Sequence, residues 1–107
     1  MKFGLKDETC ALIEEVFKGF IIIDEVTLYG SRAKGNFKPA SDIDFVLKGD
    51  NITLETMNKI SWALDDLLLP YAFDMSIYSH ITDIDLMEHI KRVGKVFYKN
   101  NQNLVPI

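Results

Sequence analysis

Apolar side chains recur along the chain at two spacings, and these spacings predict alternating helices and strands. In residues 7–19 and 53–69 they recur three or four positions apart, which is typical of a helix with one buried face. Short apolar segments between these regions are typical of buried strands. The predicted elements follow in chain order: a helix at 7–19, a strand at 21–29, a short helix at 31–35, a strand at 42–47, a helix at 53–69, a strand at 71–78, a helix at 82–93 and an edge strand at 96–98.

This alternation in a chain of 107 residues predicts an α/β (α+β) fold, in which helices pack on a small mixed sheet. One domain at 1–99 holds every predicted element, and the polar segment that follows, 100–107, is expected to be a mobile tail. Thr53 is the expected N-cap of the long helix, and residues 82–85 resemble a capping box that begins at Thr82 and has Asp85 in the reciprocal position. The buried face of the long helix is predicted to carry five side chains: Met57, Ile60, Leu64, Leu67 and Leu68.

The composition limits the setting and the partners. Lys and Arg number 12 and Asp and Glu 16, so the net charge is −4, which disfavours a nucleic-acid backbone as a partner. Cys10 is the only cysteine, so no intrachain disulfide can form and a reducing cytoplasm is the expected location. The N-terminus lacks a signal-peptide pattern, and no apolar run approaches the ~20 residues that span a bilayer. No membrane association is expected.

Two aspartates lie two positions apart in the predicted second strand. Side chains at i and i+2 of a strand point to the same face, so Asp42 and Asp44 project together while Ile43 and Phe45 face the opposite way. Carboxylates about 7 Å apart on one face repel each other unless a cation lies between them. The alternatives are therefore a solvated strand face and a cation site.

A third acid, Asp74, favours the cation site. It lies within the apolar segment 72–77, where an aspartate is uncharacteristic of a strand. A carboxylate in such a segment usually has a partner, and a shared metal site is the simplest one. Three carboxylates on two adjacent strands can hold two Mg²⁺ ions roughly 3.5–4 Å apart.

A glycine-serine turn separates the first predicted strand from the short helix. Gly30 permits a sharp turn, and the hydroxyl of Ser31 with nearby N–H groups can hold a phosphate. A plain helix N-cap is the alternative. The turn is not a P-loop, because Gly30 and Gly35 have that motif's glycine spacing but Asn36 and Phe37 stand where Lys and Ser or Thr are required.

The turn, the paired acids and the later strand aspartate together resemble the DNA polymerase β-type nucleotidyltransferase superfamily. The sequence GSRAKG at 30–35 is followed by SDID at 41–44 and then by Asp74, and GKVFY at 94–98 is similar to the usual end of such domains. The resemblance covers nearly the whole chain. It is strongest to the minimal nucleotidyltransferases (MNT), the branch that includes MntA-like antitoxins.

The resemblance implies that one set of residues binds the nucleotide and another performs catalysis with metal ions. The implied nucleotide-binding set is Gly30, Ser31, Arg32 and Lys34. For the two basic residues a solvated helix face is the alternative. The implied catalytic and metal-binding set is Asp42, Asp44 and Asp74, with Asp74 also helping to activate the acceptor hydroxyl. The implied cofactor is Mg²⁺ as two ions, with Mn²⁺ as a substitute.

The resemblance also implies the reaction and the partner. A hydroxyl would attack the α-phosphorus of ATP or another nucleoside triphosphate, AMP would be transferred, and pyrophosphate would leave. Larger enzymes of this kind carry an acceptor-binding domain, so the acceptor is expected on another protein. The implied partner is a HEPN-domain toxin, and this chain would be its antitoxin. The alternative is a binding module that neutralises a HEPN protein by contact, with weak or no catalysis.

The remaining polar and aromatic residues suggest ordinary roles, with one exception. His80 and His89 have no metal-ligand companion, so surface or packing roles are expected. Cys10 is expected to pack in the core. Trp62 and Leu69 fall on the outer side of the long helix, where Trp62 is either partly buried or part of a surface for a partner.

Overall fold

Every predicted helix and strand is present in the structure, a computed structural model that describes residues 1–101. A short 3₁₀ turn, Tyr78–His80, follows the third strand. In chain order the elements are α1 (Asp7–Lys18), β1 (Glu25–Tyr29), α2 (Gly30–Lys34), β2 (Ile43–Lys48), α3 (Leu54–Asp65), β3 (Phe73–Ile77), α4 (Ile84–Val93) and β4 (Lys95–Lys99).

The four strands form one mixed sheet in the order β3-β2-β1-β4. Strand β1 runs antiparallel to both β2 and β4, whereas β2 and β3 are parallel. Parallel neighbours need a crossover connection, and α3 lies in the crossover between β2 and β3. The predicted mixed sheet with packed helices is therefore confirmed.

Helices cover both faces of the sheet, and the two faces differ in character. Helices α1 and α3 pack on the larger apolar face, whose strand residues include Val26, Leu28, Ile43, Phe45 and Leu47. Helix α4 packs on the opposite face, where Ile90 meets Tyr29 and Val46. Because strand side chains alternate between faces, Asp44 lies on the same face as Val46. Asp44 therefore projects on the α4 side of the sheet.

The first strand is shorter than predicted. It begins at Glu25, because residues that follow α1 form turns: Phe20 N donates to Phe17 O at 3.0 Å, and Ile23 N to Phe20 O at 3.0 Å. Ile21 is 68% exposed, whereas Ile23 is buried in the core. An apolar composition is shared by a strand and a buried turn, so the prediction of a strand from residue 21 was wrong.

The long helix also ends earlier than predicted. Helix α3 ends at Asp65, and tighter bonds follow it, from Leu67 N to Leu64 O at 3.1 Å and from Leu68 N to Asp65 O at 3.0 Å. Leu68 has φ 56° and is 89% exposed, so its predicted place on the buried face was wrong. Pro70 contributes to the early end, since it disfavours helical backbone at the preceding residue. The other predicted face residues are buried or packed against the core: Met57, Ile60, Leu64 and Leu67.

The two predicted N-caps have different outcomes. Thr53 caps α3, since its hydroxyl oxygen accepts from Thr56 N at 3.2 Å. Helix α4 is capped by Asp83 instead of the predicted Thr82, because Asp83 Oδ1 accepts from Asp85 N at 2.9 Å and Leu86 N at 3.4 Å. The start of α4 is thus set one residue later than the capping-box pattern predicted.

The start of the predicted tail belongs to the folded structure. Asn100 is buried; its backbone N donates to Asp24 O at 2.8 Å and its Nδ2 donates to Ile21 O at 3.3 Å. The segment 102–107 lies outside the described residues. In the part that is described, no helix is both long enough and apolar enough to cross a membrane.

Candidate functional site

Two of the predicted acids are brought side by side by the sheet register. Asp44 of β2 is the direct partner of Asp74 in the parallel β2–β3 pair, and it is also opposite Tyr29 of β1. Asp42 lies one residue before β2 and is exposed, as is Asp74, whereas Asp44 is partly buried. Asp44 and Asp74 therefore lie side by side on the α4 face of the sheet, and Asp42 is close enough for its charge to act on Asp44.

The acids interact electrostatically with each other and with a neighbouring phenol. Burial, and after it the negative charges of Asp74 and Asp42 in that order of importance, together raise the pKa of Asp44 from 3.8 to about 6. Burial likewise raises the pKa of Tyr29; a hydrogen bond with Ser76 opposes this, while Asp74 and Asp44 add to it. The face therefore carries a concentrated negative potential.

The donor chemistry of this face fits a hard divalent cation. Carboxylate oxygens are the ligands that Mg²⁺ prefers, and a cation would offset the burial and the like charges that raise the pKa of Asp44. The carboxylates do not form a preformed cage, since no three His, Cys, Asp or Glu side chains among residues 1–101 converge on one point as a metal site. Carboxylates that do not enclose an ion leave coordination positions that the oxygen atoms of a bound phosphate chain can fill.

The glycine-serine turn lies directly against Asp44. Gly30 has φ +74°, and a Cβ added there would collide with the carboxylate of Asp44. Only glycine meets both requirements, because it accepts positive φ and has no side chain. Ser31, the next residue, is partly exposed in the first turn of α2. The predicted phosphate turn and the predicted carboxylates are thus adjacent in space.

The sequence match and the fold now assign the family. Residues 12–103 match the family model described as Polymerase beta, Nucleotidyltransferase. The chain belongs to this nucleotidyltransferase family. The predicted resemblance to the nucleotidyltransferases is therefore confirmed. A comparison with curated protein sequences found no significant match.

Solved structures share the nucleotidyltransferase fold at low sequence identity. A chain of a toxin–antitoxin with AMP-PNP has a TM-score of 0.69 and 19% identity, covering 88% of this chain and 76% of that chain. A chain from the tri-AMPylated Shewanella oneidensis HEPN toxin in complex with MNT antitoxin has a TM-score of 0.66 and 15% identity, covering 92% and 76%. A candidate nucleotidyltransferase from Sulfolobus solfataricus has a TM-score of 0.53 and 22% identity, covering 87% and 78%.

Arg32, one of the two basic residues after the glycine-serine turn, is buried and bound to backbone carbonyls. Its side chain is 2% exposed, so it does not lie on a solvated helix face. Its guanidinium donates to Phe3 O at 2.8 Å, to Pro39 O at 3.2 Å and twice to Ser41 O, at 3.0 and 3.1 Å. These bonds fasten the loop before β2 to the N-terminal segment, which favours a structural role for Arg32 over phosphate contact.

Aromatic rings complete the enclosure of Arg32. Its guanidinium carbon lies 5.2 Å from the ring centroid of Phe37 and 4.9 Å from that of Tyr71. Lys34, by contrast, is exposed at the end of α2. Of the two basic residues in the nucleotidyltransferase motif, Lys34 is the one whose charge remains accessible to a ligand.

His89 is the site residue that the sequence reasoning missed. Its Nε2 accepts a hydrogen bond from Gly30 N at 3.1 Å, and its ring meets Tyr29 edge-to-face with centroids 6.1 Å apart. The available signal was its position in α4, next to buried Ile90 and three residues after Leu86, on the side that faces the sheet.

The other singled-out residues lie away from this site. Cys10 is buried in the core, as predicted, and His80 is exposed. Trp62 is 64% exposed, which agrees with its predicted outer position. Leu69, predicted on the same outer side, is instead half-buried against the core, because α3 ends before it and the chain turns back toward the sheet.

Proposed function

We propose that this nucleotidyltransferase transfers AMP from ATP to a hydroxyl group on a HEPN-domain partner, as the antitoxin of a toxin–antitoxin pair. The observation that supports the proposal is the close approach of Gly30 to Asp44, since the proposed phosphate-binding turn then lies next to the proposed metal-binding carboxylates. Structural neighbours of this fold include an MNT antitoxin with a tri-AMPylated HEPN toxin and a toxin–antitoxin with AMP-PNP. The buried lone cysteine supports a cytoplasmic location.

The residues of the site divide the work of positioning the reactants. Ser31 would hold the triphosphate by its hydroxyl, and exposed Lys34 would neutralise part of its charge. Asp74, on the edge strand, is accessible to an incoming acceptor and would orient its hydroxyl toward the α-phosphorus. Arg32 would keep the loop before Asp42 in place through its carbonyl bonds. The hydroxyl oxygen would form the new bond to the α-phosphorus, the bond from that phosphorus to pyrophosphate would break, and the hydroxyl proton would pass to Asp74.

A divalent ion would complete the electrostatics of the site. Asp42, Asp44 and Asp74 are the residues that would hold it, and Mg²⁺ as two ions is the proposed cofactor. When bound, such ions supply charge neutralisation of the phosphates and lower the pKa of the attacking hydroxyl. Enzymes of this superfamily generally use a divalent metal ion, and the three carboxylates of this chain are of the type that binds one.

The proposed transfer is tested with the neighbouring gene's product, the expected HEPN partner. Incubation with ATP and Mg²⁺ should add one or more AMP groups to a hydroxyl side chain of the partner, detected by mass spectrometry. Asp44→Asn should abolish the adduct, whereas Asp66→Asn, which removes an exposed charge at the end of α3, should not. Equal inhibition of the partner by Asp44→Asn with no adduct would favour the contact-only alternative.

The nucleotide site is tested separately from the acceptor. Ser31→Ala should weaken ATP binding by about 1–2 kcal/mol, the scale of one charge-assisted hydrogen bond. Ser79→Ala, an exposed serine outside the turn, is the matched control and should bind ATP as the wild type does. Calorimetric titration measures both affinities, and thermal melting checks the fold. A loss of stability with unaltered ATP affinity would assign Ser31 to helix capping alone.

The partner surface is a further part of the proposal. Trp62 is exposed on α3, and tryptophan is enriched where proteins meet. We expect Trp62→Ser to weaken the complex with the HEPN partner while leaving ATP affinity unchanged. Binding of the partner with unchanged affinity would remove Trp62 from the interface.

A further inference from the structure

A side chain of helix α4, His89, forms a hydrogen bond with the glycine turn. His89 accepts the Gly30 N–H at 3.1 Å across 59 residues of sequence. The helix that carries His89 is held on the sheet by Ile90, which is 3% exposed and packs with Tyr29 and Val46. The ring of His89 also lies edge-to-face against Tyr29 at 6.1 Å between centroids. The acceptor nitrogen is therefore held by two packing contacts as well as by the helix backbone.

The bond removes Gly30 from the donors that a phosphate can use. A backbone amide carries one hydrogen, and here that hydrogen points to Nε2 of His89. The contribution of Gly30 to the site is then its conformation and its missing side chain, since a Cβ would collide with Asp44. Ser31 and the groups that follow it remain as the donors for a triphosphate.

We propose that His89 is a positioning residue, which fixes the Gly30–Ser31 turn against Asp44 and so presents Ser31 to the nucleotide. The inference rests on the proposed nucleotide-binding function. Glycine at φ +74° has access to other backbone conformations at little cost, so the turn needs a restraint from outside itself. The bond from Gly30 to His89 supplies that restraint, because it ties the turn to a helix anchored on the sheet.

Two substitutions separate positioning from packing. His89→Gln retains an acceptor near the position of Nε2, whereas His89→Leu keeps an apolar side chain of moderate size but offers no acceptor. Glu88→Gln, the exposed neighbour on α4, is the matched control. If the turn is held through the acceptor, His89→Leu should weaken Mg²⁺-ATP binding about tenfold, the scale of one hydrogen bond. His89→Gln and Glu88→Gln should stay within about threefold of the wild type, the range that a partly retained bond allows.

The readouts are chosen so that a general loss of stability is recognised. Calorimetric titration measures ATP affinity, thermal melting measures stability, and the ¹H–¹⁵N resonance of Gly30 reports its amide bond directly. In His89→Leu that resonance should move and its hydrogen exchange should become faster, while the control leaves both unchanged. In AMP transfer, the expected signature is a raised KM for ATP with a smaller change in kcat.

Several outcomes would overturn the inference. One is an ATP affinity of His89→Leu equal to that of the wild type. Another is an equal loss of ATP affinity in His89→Gln and His89→Leu when the two variants are equally stable. If His89→Leu does not fold, His89→Phe takes its place as the variant without an acceptor. A wild-type protein that binds no ATP would overturn the proposed function instead, while an unshifted Gly30 resonance in His89→Leu would independently overturn the restraint. Because ATP binding needs no acceptor, a failure of AMP transfer leaves the His89 test intact.

Discussion

Replacing Asp44 with asparagine tests the electrostatic account of the carboxylate face. Asp44 is partly buried, is paired in register with Asp74 and lies against Gly30. Its pKa is raised from 3.8 to about 6, first by burial and then by the charges of Asp74 and Asp42. Asparagine has nearly the same volume and no charge, so Asp44→Asn removes this unfavourable charge while keeping the packing. We expect the metal-free variant to be more stable than the wild type at neutral pH.

The sign and the size follow from the pKa. A folded-state pKa above the unfolded value means that the native state binds the proton more tightly. The stabilisation from that proton is fully present below about pH 4 and is lost as pH rises through about 6. At about 1.4 kcal/mol per pH unit, the ionised group costs at most about 3 kcal/mol. Solvent screening of a partly exposed group reduces this to about 1–2 kcal/mol.

The assay is urea unfolding of wild type and Asp44→Asn between pH 3.5 and 8, in chelator and without nucleotide. The advantage of the variant should be near zero at about pH 4 and should reach its full ~1–2 kcal/mol above about pH 6. Asp66→Asn, an exposed acid at the end of α3, controls for the loss of one negative charge. A pH-independent difference, or a wild type more stable than the variant at pH 7, would refute the reasoning.

Three further predictions concern the hydrogen bonds of Arg32, the N-cap of α4 and the binding of metal. Arg32→Lys should lower the free energy of unfolding by about 2–4 kcal/mol, because one ammonium cannot replace four guanidinium bonds to three carbonyls; a loss below about 0.5 kcal/mol in urea unfolding would contradict this. Asp83→Ala should cost about 1 kcal/mol through the lost cap, and Thr82→Ala should cost less; the reverse order in thermal melting would restore Thr82 as the cap. Mg²⁺ should raise the Tm of the wild type, more so with ATP, and an equal rise in Asp44→Asn would remove that residue from the metal set.

The type of each element and the face of each strand could be predicted because both depend on near neighbours in sequence. Alternation along a strand puts the side chains of Asp44 and Phe45 on opposite faces of the sheet, whatever the rest of the fold. The structure shows this arrangement. Boundaries were less secure, as Ile21 and Leu68 demonstrate. Each is apolar but exposed. The apolar pattern of the sequence continues through both positions, whereas in the structure turns follow α1 and α3 there.

The sequence by itself determined the alternating helices and strands, the proximity of Asp42 to Asp44 and the glycine turn, since all of these are set within a few residues. Only the tertiary structure decided the partners of Arg32 and His89. Arg32 meets Phe3 O from 29 residues away and His89 meets Gly30 from 59, and no local spacing encodes such a distance. The pKa of Asp44 also depends on the fold, because Asp74 arrives beside it through the β2–β3 register. Spacing along the sequence therefore identified the candidate site residues, and the tertiary fold determined which groups each of them contacts.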